Sequence, residues 1–428
     1  MTDTIFALSS GAPPAAIAVV RVSGPQAGAA LHALTGQLPP PRRASFATLR
    51  DAAGEVLDRT LVLWLPGPAT ATGEDSAELH CHGGRAVVAA VEQALAAMPG
   101  LRRAKPGEFT RRAFANGRID LAEAEGLAEL LSAETDLQRR SAMAMAGGAF
   151  SRQVEHWREA LLLHSAAVEA VLDFADEDDV AGLPTDFTAR LEALRAELAL
   201  WLARPRAEVL REGFRVVLAG PPNAGKSTLF NALVEAEAAI TAPIAGTTRD
   251  VLTRPVALSG LPFLFADTAG LTDQAGDAIE AIGVERARGE LDRADLVLWL
   301  GPQGEGPMAA WEIEAQTDRA DRADHPPKSA PRHRVSALTG AGMDALRQDL
   351  ITTARAALPR AGEAALNTRQ HRLLSEAEAM LAVAVLAVDP LLVAENLRLA
   401  RLAFDALLGR TTTEDMLDTL FGRFCIGK

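Results

Sequence analysis

The chain has 428 residues, 48% of them hydrophobic, with a mean hydropathy of +0.07, which is enough for roughly three domains that each bury a core of their own. Its formal charge of −13 argues against a general nucleic-acid binder, while leaving room for one local basic groove. No run of about 18 uncharged apolar residues offers a membrane span, and the only two cysteines, Cys81 and Cys425, are too far apart to imply a disulfide framework.

The first residues, Met1-Thr-Asp-Thr-Ile-Phe6, lack the basic-then-apolar order of a secretory signal, so a reducing, cytoplasmic setting is expected. From 1 to 118 the chain mixes short strands and turns. Ile17-Ala-Val-Val-Arg21-Val and Thr60-Leu-Val-Leu-Trp-Leu65 are aliphatic or β-branched runs bounded by Gly and Pro, and Ala86 to Ala97 has a helical pattern, which together predict an α+β domain. His80-Cys81-His82 invites a metal reading. On a strand, however, the two histidines face one way and the cysteine the other, with no fourth ligand in sight.

From Leu121 the pattern turns helical, with long segments predicted at Leu121–Arg140, Val154–Phe174 and Asp186–Leu210. Asp176-Glu-Asp-Asp179 and the Gly-Leu-Pro after it break the last two, and read as a solvated loop rather than a metal site. Helices return from Asn367 to the end. A helical block on both sides of a nucleotide domain predicts an insertion: 119–211 and 359–428 form one all-α domain, and 212–358 lie within it.

That inserted region opens on a strand, Phe214 to Ala219, followed by Gly220-Pro-Pro-Asn-Ala-Gly-Lys-Ser227 and a helix over Thr228–Ala236. This is a full GxxxxGKS phosphate loop in its proper setting, predicting a Ras-like P-loop domain. Backbone N–H groups from Asn223, Ala224, Gly225, Lys226, Ser227 and Thr228 would surround the phosphates, with Lys226 on the β/γ oxygens and the Ser227 hydroxyl on Mg²⁺. Ile244-Ala-Gly-Thr-Thr-Arg-Asp250 follows, then strand-like Val251–Leu258 and Leu261–Ala266, the second running into Asp267-Thr-Ala-Gly270. An Asp there binds Mg²⁺ through water, Thr268, Ala269 and Gly270 bring backbone to the γ-phosphate, and Thr248 would complete the metal shell. In this order the elements resemble those of translation-factor-type GTPases.

The base site departs from that pattern. No NKxD is present; the best candidate is Asp318-Arg-Ala-Asp321, with Thr317 and a second start at Asp321 leaving the register open. Ser336-Ala337-Leu338 has the form of the base-contacting SAK loop, and a weakened guanine site that still favours GTP over ATP is expected. Leu271 stands where Ras-type proteins carry a water-orienting Gln, so another group must do that work. Glu280 is placed for it, but by itself also reads as an ordinary helix-surface residue.

Across its whole length the chain resembles the MnmE (TrmE) family of tRNA-modification GTPases. The features that carry the likeness are Arg21-Val-Ser-Gly24, Thr72-Gly-Glu-Asp75 with Glu78 and His82-Gly-Gly84, Pro106-Gly-Glu-Phe-Thr110, the phosphate loop, AGTTRD, DTAGL and the terminal Phe424-Cys-Ile-Gly-Lys428. The resemblance implies that Asn223, backbone oxygens around Ala242 and Ile244, and Thr247 bind K⁺, and that Glu280 orients the attacking water. It also implies two GTPase domains that face each other, with the K⁺ standing where an arginine finger would, in a homodimer joined by a folate-binding N-terminal domain. Arg21, Glu78, Arg118 (usually Lys in the family) and the tail residue Lys428 match its tetrahydrofolate site. Cys425 is either a catalytic nucleophile or a buried structural thiol. The implied activity is K⁺-dependent GTP hydrolysis with an FAD-containing partner of the MnmG (GidA) family, in a heterotetramer. Together they would modify C5 of the wobble uridine of certain tRNAs, with an aminomethyl-type group whose carbon comes from a methylene-tetrahydrofolate. Two rivals are a ribosome-assembly switch and a GTP-binding scaffold whose catalytic or guanine site has decayed. The acidic helical block speaks against the first, and the retained phosphate-loop residues against the second.

Overall fold

The structure is a computed structural model that describes residues 3–173, 183–235, 252–267, 288–319, 327–411 and 413–428. Its chain divides into two compact units, Met1–Ala128 with Leu402–Lys428, and Glu129–Arg401.

In the first unit the elements run β1 (Thr4–Leu8), β2 (Ala15–Ser23), α1 (Ala27–Thr35), β3 (Ser45–Arg50), β4 (Val56–Leu65), β5 (Ser76–Gly83), α2 (Arg85–Ala96), β6 (Leu101–Arg103), α3 (Glu108–Ala115) and the start of α4 (Leu121–Ser132). The strands form one six-stranded sheet in the order β3-β4-β5-β2-β1-β6, antiparallel except for the β1–β6 pair. Period-two alternation decides what faces where. On β2, Val20 and Val22 are buried and Arg21 between them is not; on β5, Leu79 and Cys81 are buried, whereas Glu78 and His80 are half-buried. The buried set packs with Leu31 and Leu34 of α1 and Val91 and Leu95 of α2 into one core, leaving Arg21, Glu78 and His80 together on the opposite face.

The second unit holds α5 (Asp136–Ala146), α6 (Ala149–Asp173), α7 (Phe187–Leu202), α8 (Ala207–Glu212), β7 (Phe214–Ala219), α9 (Lys226–Glu235), β8 (Leu252–Leu258), β9 (Leu261–Asp267), β10 (Leu296–Trp299), β11 (Trp311–Glu314), β12 (His333–Arg334), α10 (Met343–Ala357) and α11 (Thr368–Leu386). Helix α12 (Pro390–Leu407) and α13 (Glu414–Phe421) then lead to the end of the chain. The second sheet has the order β12-β11-β10-β7-β9-β8, parallel except for the β8–β9 hairpin. Strand β7 lies between β9 and β10, where the strand order reverses, and in open α/β sheets ligands bind beyond the strand ends at that point. Phe214, Val216, Leu218, Phe263, Phe265, Leu298 and Ile313 fill its core with Phe230 of α9 and Leu346 of α10. The fold is therefore α+β followed by helices and a doubly wound sheet.

Two long helices expected from sequence are broken. Leu121–Arg140 is split into α4 and α5 because the Thr135 hydroxyl accepts from the Gln138 N–H while the Gln138 side chain reaches back to Thr135 N, a capping box that starts a new helix. Asp186–Leu210 is split into α7 and α8 around Pro205, which disfavours helical backbone at the residue before it.

Candidate functional site

Strand β7 delivers the phosphate loop. Its Leu218 pairs with Asp267 at the end of β9, which brings that buried carboxylate to the same sheet edge as the loop. The loop needs its glycines: Gly220 has φ +149°, and a Cβ there would lie 2.9 Å from the N of Gly301. Asn223 takes φ +62°, a left-handed conformation that Asn tolerates better than most residues. Lys226 opens α9 and is buried, its Nζ donating to the Gly220 and Pro221 carbonyls at 2.8 and 2.7 Å. Ala224 is buried, while Ser227 and Thr228 are exposed on the first turn of the helix, whose N-terminal N–H groups and dipole favour an anion. The positions expected to finish this site, Ala242, Ile244, Thr247, Thr248, Thr268, Ala269, Gly270 and Glu280, lie outside the described residues, as does Asp321 of the base motif.

At the base end, the segment after β11 reads Ala315-Gln316-Thr317-Asp318. The Ser336 hydroxyl donates to Asp318 Oδ1 at 2.5 Å, and Thr317 N donates to Val335 O at 3.3 Å. Ser336 is itself fixed: its N–H bonds Ala341 O, and its Oγ accepts from Thr339 N at 3.1 Å. Asp318 is thus joined to the SAK-like loop, with Ala337 half-buried and Leu338 exposed beside it. Gln316 was not singled out from the sequence, because no motif letter marks it. Its Nε2 donates to the Asn223 carbonyl of the phosphate loop at 3.1 Å.

The first unit carries a second cluster. Arg21 Nε and Nη2 donate to Glu78 Oε1 at 3.1 and 3.0 Å, and His80 Nε2 lies 3.3 Å from Glu78 Oε2. The Arg21 guanidinium sits 5.8 Å from the Phe109 ring centroid, and Phe109 N donates to the Lys428 carbonyl at 3.2 Å. Arg21, Glu78 and the tail therefore meet around Phe109. Arg118 packs its stem on Gly73, where a Cβ would come within 3.1 Å of Arg118 Cγ. The tail is seated by backbone contacts, with Gly107 N donating to Cys425 O and no room for a Cβ at Gly427, which would meet Leu8 O at 2.0 Å.

Cys425 is exposed, which corrects the buried structural thiol as an option. Cys81 is the buried one, and desolvation together with the Asp58 charge pushes its thiol up to about 12. His82 pairs with Asp58 at 2.8 Å, and among the described residues no group of three or more His, Cys, Asp or Glu is arranged to hold a metal.

Two family models match the chain, one described as the GTP-binding protein TrmE N-terminus over residues 4–118 and one as the MnmE helical domain over residues 121–425. A protein of Novosphingobium aromaticivorans named tRNA modification GTPase MnmE is 66% identical over 440 residues, covering 100% of both chains. Proteins of the same name from Erythrobacter litoralis and Rhizorhabdus wittichii are 63% and 60% identical, each over 100% of this chain and over 100% and 97% of their own.

Proposed function

Because this chain belongs to the MnmE family of tRNA modification GTPases, we propose that it hydrolyses GTP in a K⁺-dependent manner as a homodimer, to drive modification of tRNA. With an FAD-containing partner of the MnmG family, in a heterotetramer in the cytoplasm, it modifies C5 of the wobble uridine with a one-carbon unit from methylene-tetrahydrofolate. The observation that carries the GTPase part is one sheet edge that holds a phosphate loop, a buried Asp267 in register with Leu218, and Asp318 bonded to Ser336. That pairing speaks against a scaffold with a decayed base site. The proposed division is 1–118 for folate and dimerisation, 119–211 with 359–428 as helical support, and 212–358 for nucleotide.

The exposed Ser227 hydroxyl and the Asp267 carboxylate are hard oxygen donors at that edge, a set that suits Mg²⁺. Thr248 would join them, and Asn223, Ala242, Ile244 and Thr247 would hold K⁺. When bound, the two cations supply positive charge against the phosphate oxygens. Lys226 grips the β/γ oxygens, Asp318 accepts from the guanine edge, and Glu280 orients the attacking water. Arg21, Glu78, Arg118 and Lys428 hold the folate, a guanidinium suiting its glutamate tail and a carboxylate its pterin N–H groups. Cys425, exposed three residues before Lys428 in the tail, is assigned as the nucleophile.

The test is reconstitution with the FAD partner, unmodified tRNA, an amine source, GTP and methylene-tetrahydrofolate, read by nucleoside analysis of the digested tRNA. C5-modified uridine that requires GTP and vanishes with Lys226→Ala is expected; modification indifferent to GTP, or none at all, overturns the proposal.

A further inference from the structure

We infer that Leu137 and Gln138 of α5 are positioning residues that seat the nucleotide sheet on the helical part of the second unit, from the end of the sheet opposite the phosphate loop. The inference rests on the GTP-driven tRNA modification proposed above. The sheet is entered through α8 and left through the segment after α10, and these two crossings lie side by side. Ala207 N donates to Leu366 O at 3.0 Å, and Glu208 Oε1 accepts from Thr368 N at 2.7 Å. Two adjacent crossings make a hinge, about which a sheet can still turn. A third contact away from that line removes the rotation.

Helix α5 supplies it. Thr135-x-x-Gln138 caps the helix, so the Leu137 N–H lies in a first turn that offers it no intrahelical acceptor, and it donates instead to Gly260 O at 3.3 Å. Gly260 belongs to the two-residue turn that joins β8 to β9, where Ser259 and Gly260 both take left-handed backbone, at φ +49° and +76°. The Leu137 side chain is buried in the core that contains Phe214 and Phe263, the residues paired where β7 and β9 begin to run together. Gln138 divides its amide between two tasks. Its Oε1 accepts from Thr135 N at 2.9 Å within the cap, and its Nε2 donates to Leu210 O at 2.8 Å, just before β7. One turn later Ser141 Oγ donates to Glu363 O at 2.9 Å, on the exit side.

The first turns of α5 therefore hold the hairpin, the entry and the exit of the sheet at once. Strands β7 and β9 run parallel from this end to the phosphate loop and to Asp267, about 20 Å away at 3.3 Å per residue. Holding their starts fixes the direction in which the nucleotide edge faces without touching the nucleotide. A sheet free to turn on its hinge would absorb its own movement, and the helices would not receive it.

The experiment uses the full chain with the FAD partner and unmodified tRNA in KCl. It measures kcat and KM for GTP, and the C5-modified uridine formed per GTP hydrolysed, for wild type, Leu137→Ala, Leu137→Met and Gln138→Glu. Hydrolysis is expected within about twofold of wild type in every variant, while the yield per GTP falls at least about fivefold in Leu137→Ala. Leu137→Met conserves the volume of the seat and restores the yield to within about twofold. Gln138→Glu keeps the capping acceptor and loses only the donor to Leu210 O, which folds even where Leu137→Ala does not, and lowers the yield at least about threefold. Unchanged yield in Leu137→Ala or Gln138→Glu, hydrolysis that falls in step with yield, or a Met variant as poor as Ala overturns the inference. A wild-type chain that neither hydrolyses GTP nor modifies tRNA overturns the proposed function instead, so the two failures are distinguishable.

Discussion

Arg112 of α3 is the most consequential single side chain in the first unit. It is fully buried, donating to Asp3 O and Oδ1 at 2.9 Å, to Glu74 Oε2 at 3.1 Å and to Glu108 Oε1 at 3.3 Å. Glu74 also accepts from Ser23 Oγ at 2.8 Å, so one guanidinium joins β2, the TGED loop, the N-terminal residues and α3. Removing one partner from a buried ionic group costs about 3–5 kcal/mol. Arg102 remains on Glu108, and Asp3 is partly exposed, so Arg112→Met is expected at the lower end, about 3 kcal/mol. In a unit of this size that lowers the thermal midpoint by about 6–12 °C, measurable by circular dichroism at pH 7. The difference should shrink in acid. Burial pushes the Glu108 carboxyl up, but hydrogen bonds from Arg102 and Lys105 and the Arg102 and Arg112 charges outweigh it and hold it below the usual carboxylate range. Its folded pKa is depressed, so its contribution is present above about pH 4.3 and is lost as pH falls through the folded value. A loss below about 1 kcal/mol at pH 7, or a loss that grows in acid, refutes this assignment.

Removing the capping hydroxyl with Thr135→Ala should lower stability by about 1 kcal/mol in chemical denaturation, and Thr135→Ser should not. An aromatic disulfide reagent should titrate one thiol quickly in the native protein, and Cys425→Ser should abolish that phase. Cys81, buried and with its thiol at about 12, should react only on unfolding.

The phosphate loop and the Asp at the end of β9 were legible because each is a short motif with a strand before it and fixed letters inside. The first sheet was legible in part for a similar reason, since the aliphatic run Ile17–Val22 bounded by Gly and Pro marks β2. The base site was harder. Asp318 could be nominated but not distinguished from its neighbours, because the register depends on Thr317 pairing with Val335 and Ser336 reaching Asp318, contacts across a parallel sheet edge. Gln316 carried no signal, since its partner is a carbonyl 93 residues away. The break before Asp136 was present as Thr135-x-x-Gln138, but Ala- and Leu-rich sequence on both sides masked it. Arg112 was illegible because its partners come from three separate segments of chain.

The measurement that decides most is the rate of GTP hydrolysis by the purified protein in KCl and in NaCl, with Glu280→Ala in parallel. A rate that is fast only in KCl and is lost in the variant is the expected result for a K⁺-dependent GTPase whose Glu280 orients water. A slow rate indifferent to the cation, or a Glu280→Ala variant as active as wild type, contradicts it.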